Sequence, residues 1–119
     1  MDRHLHTWED LPEDNPIALL KRRKIEGDNM LVARVELQKG CVVAVHSHES
    51  EQMAIVVAGK VRWTLGHEGA ASHRIVDVQA GQVVQLPGNF PHGVEALEDS
   101  LIYDILSPVG AMGIDSQKD

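Results

Sequence analysis

The stretch GCVVAVHSHESEQMAIVVAG, residues 40–59, carries two imidazoles one residue apart and an amide four positions after the second. The run leading to His46 is short and β-branched, the composition of a strand. Side chains two apart in a strand project to the same face, so His46 and His48 point the same way. Gln52 opens the next apolar run after a three-residue bend, and its carbonyl oxygen offers a further donor. A third imidazole, His92, lies in PGNFPHG at 87–93, a turn shaped by proline and glycine. Three imidazoles with one oxygen donor suit one divalent transition metal and leave a position for water or substrate. Zinc, nickel, manganese, iron and copper all accept such ligands, so the spacing names the site and not the ion.

Outward from this stretch the chain reads as short strands between turn signals. MLVARVEL at 30–37 and CVVAVH at 41–46 are followed by QMAIVVA at 52–58, KVRWTLG at 60–66, HRIVDVQ at 73–79, QVVQLP at 82–87 and SLIYDILS at 100–107. EGDN, QKG, AGK, GHEGA, AGQ and LPGNFPHG separate them, rich in the Gly, Asn and Asp that turns require. This rhythm predicts an all-β sandwich or barrel over residues 18–108 and not parallel βαβ units. Residues 1–17, with two prolines and a run of acids, form an extended arm whose Trp8 packs either on the barrel or on a second subunit. Residues 109–119 are small and polar, a tail expected to fray.

At 119 residues, with 43% hydrophobic and 24% charged residues, one domain with a substantial core is expected. The formal net charge of −7 repels a phosphate backbone, so nucleic acid is not an expected partner. The basic run KRRK at 21–24 reads as a solvated strand or loop edge, or as a local anion patch. No apolar run approaches the roughly 18 residues of a membrane span, and the polar N-terminus has no apolar signal region. One cysteine, Cys41, excludes an internal disulfide and suits a reducing, cytoplasmic setting. By strand parity Cys41 is expected to face away from His46. The other histidines, His4, His6, His67 and His73, lack a glycine bracket or an apolar strand and are expected at the surface.

Two blocks carry a family resemblance. Gly40, His46, His48, Gln52 and Gly59 match the first motif of the cupins, with Gln52 in place of the usual glutamate; Gly81, Pro87 and His92 match the second. Asn89 stands where that motif has an inner glycine, and Ala96 where it ends in asparagine. The resemblance implies a double-stranded β-helix (the cupin or jelly-roll barrel), one metal held by His46, His48, Gln52 and His92, and a homodimer. HSHESEQ together with PHGVEALEDSLIYDILSP is also similar to the small cupins that open unsaturated uronate rings in pectin and alginate breakdown. That similarity implies a role for Asp104, while the positions of the family's substrate-holding aromatic and arginine are here Leu106 and Gly110.

Asp104 draws notice from its neighbours alone. In LIYDIL it shares a strand face with Ile102 and Leu106, and a carboxylate among apolar groups costs free energy unless paired or functional. It is expected either as a general acid/base beside the metal or as the partner of Arg22, Arg34 or Arg62, or exposed at a barrel edge. The leading expectation is an enzyme using Lewis-acid and general acid/base chemistry on a small oxygenated, sugar-acid-derived substrate, by ring opening or tautomerisation. The alternatives are a cupin dioxygenase with a redox-active metal, and a barrel that binds a ligand without turnover.

Overall fold

The computed structural model describes residues 2–117; residue 1 and residues 118–119, the outer ends of the expected arm and tail, lie outside the described residues. Nine strands run β1 (Leu20–Glu26), β2 (Leu31–Leu37), β3 (Val42–His46), β4 (Glu51–Ala58), β5 (Lys60–Leu65), β6 (Arg74–Gln79), β7 (Val83–Leu86), β8 (His92–Ala96) and β9 (Ser100–Ser107). They form two antiparallel sheets, β1-β2-β9-β4-β7 and β3-β8-β5-β6, with no α-helix among the described residues. The all-β expectation holds. The KRRK run, expected as a solvated strand or loop edge, is part of β1 with Arg22 buried, and β8 under the turn holding His92 escaped the sequence reading.

Alternation explains the core. Leu31, Ala33, Val35 and Leu37 of β2 face inward, as do Ala54 and Val56 of β4 and Ile102 and Leu106 of β9. Burying a side chain such as Leu106 in full stabilises the fold by about 1.5–3 kcal/mol. The same inward rows also carry Gln52 and Asp104, so two polar groups enter the interior on a period set by the apolar ones.

Strict alternation fails at β3. Its pairing with β8 shifts between Val43 and His46, so Val43 and His46 both reach the interior while Val45 is turned out. Cys41 is therefore buried in the core on the inner side, a correction to the parity expectation. Gly93 permits the irregularity: a Cβ there would lie 2.9 Å from the Val43 carbonyl oxygen and 3.0 Å from the Val45 nitrogen.

The arm folds back on its own barrel. Trp8 stacks on Tyr103 at 5.7 Å between ring centroids, and Asp14 bridges to Arg22 through paired backbone hydrogen bonds of 2.9 Å. Contrary to the fraying expected of the tail, Met112 and Ile114 are buried in the core cluster. Their apolar side chains find cover across the barrel mouth, which polarity averaged over the tail concealed.

Candidate metal centre

Three elements bring the imidazoles together. His46 ends β3, His92 begins β8, and the register sets them directly opposite one another. His48 lies just past β3 in the bend before β4, so loop geometry and not strand period places it. Ring centroids are 4.5 Å apart for His46 and His92 and 4.9 Å for His48 and His92, and one nitrogen of each ring lies within 4.8 Å of the others.

The tautomers suit a metal. Nδ1 donates to a backbone carbonyl two residues away in each ring: Ala44 for His46 at 2.8 Å, Ser50 for His48 at 2.9 Å, Phe90 for His92 at 2.7 Å. This outer hydrogen bond orients a metal-binding imidazole and leaves the Nε2 lone pair for the ion. His92 Nε2 is buried and has no hydrogen-bond partner. Gln52 Oε1 lies 3.0 Å from His48 Nε2, two acceptors converging with no proton assigned between them. A shared cation satisfies both, since ligands about 2.1 Å from one ion lie roughly 3 Å apart. The donor set fits the expected metal.

Asp104 is 6% exposed, and Gln52 Nε2 donates to its Oδ1 at 2.9 Å. The amide thus spans from the imidazole cluster to the carboxyl. Burial pushes the Asp104 carboxyl up to about 7, against the opposing effect of the Gln52 hydrogen bond. Burial likewise pushes His92 down to about 4 and lowers His46, which keeps those rings neutral and able to ligate. The arginine partnerships open to Asp104 from sequence are taken elsewhere: Arg34 pairs with Glu36, Arg62 with Asp77, and Arg22 with Asp14 and Asp115.

His46, Gln52, His92 and Asp104 line one cavity of ≈ 30 Å³. Trp63, Met112 and Ile114 line it too and were not singled out in the sequence. Only the tryptophan had a legible signal, an indole on an inward strand position. His4, His6 and His67 are exposed as expected, while His73 is half-buried with Nδ1 3.4 Å from the Gly66 carbonyl. In the glycine-like place, Asn89 adopts a φ of 63°, a left-handed conformation that asparagine tolerates better than most residues.

Fold and site together define a small β-barrel with a three-histidine metal-type centre between two antiparallel sheets. The Cupin domain family model matches residues 33–105, more than half of the chain, and the protein belongs to that family. An RmlC-like cupin from Shewanella frigidimarina is similar in structure with a TM-score of 0.81, at 21% identity, covering 91% of this chain and 93% of that one. KdgF from Halomonas sp. is similar at 26% identity and a TM-score of 0.75, covering 86% and 92%. Oxalate decarboxylase OxdC of Bacillus subtilis is 28% identical over 81 residues, 65% of this chain. The chain spans about a fifth of the length of that curated relative, 21%.

Proposed function

We propose that this protein is a cytoplasmic, homodimeric, metal-dependent enzyme that opens or tautomerises a small oxygenated substrate derived from a sugar acid, such as an unsaturated uronate. One observation carries the reading: the Gln52 amide links the three-imidazole cluster to the buried Asp104 carboxyl. His46, His48, His92 and Gln52 would hold the ion. A divalent ion bound by four neutral ligands supplies Lewis acidity toward substrate oxygens, undiminished by a ligand carboxylate. Asp104 supplies the proton transfer: burial raises its carboxyl, a bound cation would oppose that, and Gln52 holds it beside the centre. Gln52 fixes the orientation of that carboxyl, and the apolar walls keep water from competing.

A second reading, redox chemistry at the same centre, has one support. A solved structure of Bacillus subtilis oxalate decarboxylase, similar at a TM-score of 0.75, is described by its Mn(II) centres.

The test is elemental analysis of untagged protein prepared without chelator, beside His92→Ala, followed by assay with unsaturated uronates. The expected result is about one transition metal per chain, lost in the variant, with loss of the conjugated-alkene absorbance of the uronate. Iron, copper or manganese with oxygen uptake and no uronate turnover would favour the redox reading. Absence of metal after reconstitution would sink both.

A further inference from the structure

The cavity at the metal centre, ≈ 30 Å³, has room for a water-sized group, whereas pockets for larger ligands run to roughly 300–1,000 Å³. A sugar acid does not enter it as it stands. The wall that limits it comes from the end of the chain. Met112 and Ile114 line the cavity and are buried; a Cβ added at Gly113, whose φ is 83°, would run into the His46 ring. Farther along, the Gln117 side chain accepts from the Ala44 nitrogen at 2.6 Å and donates to the Ala44 carbonyl at 2.8 Å.

The segment is latched by a charge. Arg22 is 2% exposed, faces inward on β1 beside Leu20, and is paired in register with Val35; both of those residues line the cavity. Its Nη1 lies 3.7 Å from Met112 Sδ. Two carboxylates share the guanidinium: Asp14 through Nε and Nη2 at 3.1 and 2.7 Å, and Asp115 through Nη1 and Nη2 at 3.1 and 2.7 Å. One carboxylate balances one guanidinium, so the second leaves the triad with a net negative charge. Asp14 is also tied to Arg22 by the paired backbone bonds, whereas Asp115 is held there through its side chain; exposure does not separate the two, at 52% and 43%. Of the two, Asp115 is the replaceable one.

We propose that residues 111–117 form a removable strap over the metal pocket, and that its Asp115 carboxylate holds on Arg22 the place of a carboxylate carried by the substrate. The exchange trades one carboxylate for another on the same fork and conserves charge. Removing Met112 and Ile114 from the mouth enlarges the pocket at the same time. The identity of the ligand rests on the sugar-acid reading above; the strap rests on the contacts of the chain end.

The test uses full-length protein as purified and D-galacturonate as a stable probe, with D-galactose as its neutral counterpart. Calorimetry reads affinity, and amide hydrogen exchange reads the strap. Galacturonate is expected to accelerate exchange across 112–117 in the wild type. Asp115→Asn and Gln117→Ala are each expected to bind galacturonate at least fivefold more tightly than wild type, with galactose unaffected. Arg22→Lys, which keeps the charge and loses the fork, is expected to lose most of the affinity. Unchanged affinity in both strap variants, or unchanged exchange at saturating galacturonate, would overturn the proposal. Uronate turnover is scored separately on wild type: turnover without a strap response sinks the strap alone, and a strap response without turnover sinks the reaction alone.

Discussion

Asp104 shows how one residue's environment decides its chemistry. The inner face of β9 is apolar above and below it, and its hydrogen bond from Gln52 replaces only part of its lost hydration. A buried carboxyl raised from 3.8 to about 7 holds its proton longer in the folded state than in the unfolded chain. In metal-free protein its cost to stability therefore grows as pH rises from about 4 to 7 and is constant above, reaching on the order of 4 kcal/mol. Asp104→Asn removes this cost. Urea midpoints at pH 4.5 and 7.5 are expected to show the variant gaining on wild type at the higher pH; parallel profiles would mean the carboxyl is not desolvated. The sequence made Asp104 conspicuous because a charge interrupted an apolar period. It left the choice between proton transfer and an arginine partner open, since the neighbours across a sheet are not neighbours in the chain.

At the scale of elements, the β3–β8 pair positions the site. His46 and His92 face each other only because β3 changes register after Val43, and the irregularity needs the backbone of β8 to come close at Gly93. A methyl group there meets backbone atoms at 2.9 and 3.0 Å, and backbone has little room to yield. Gly93→Ala is expected to destabilise the fold by roughly 1–3 kcal/mol and to weaken metal binding well beyond that, because it moves both ligand strands. Thermal unfolding and a metal titration together check it; a variant with lower stability and unchanged metal affinity would show that the ligands do not depend on the bulge. Period-two reasoning found the strand and His46, yet it carried the strand on to His48 and put Cys41 on the wrong side. Parity holds only while register holds, and a bulge is a property of two strands.

Across the whole molecule, the outer face of the five-stranded sheet carries the other apolar feature. Met53 and Val57 of β4 and Val83 of the edge strand β7 are exposed, and Ile55 between them pairs with Val83. A second copy covering this face would account for the apolar side chains and the open edge together. Sizing is expected to give twice the chain mass of 13.1 kDa, and Val83→Lys to shift it toward the monomer. A wild-type monomer at micromolar concentration would remove the homodimer.

Local pattern determined what short-range chemistry can determine: strands of inward apolar residues, turns at glycine and asparagine, three imidazoles in metal-ligand spacing with an amide beside them, and the family these define. Tertiary structure alone decided the rest. Arg22 was legible only as part of a basic run and as one possible partner of Asp104, because nothing within a few residues says that Asp14 and Asp115 close on it. The tail looked too polar and small to stay down because its two anchoring side chains are useful only against a barrel mouth made by strands far away in sequence. Burial, pairing and closure are relations between distant segments, and their free energy is set by what meets what in space.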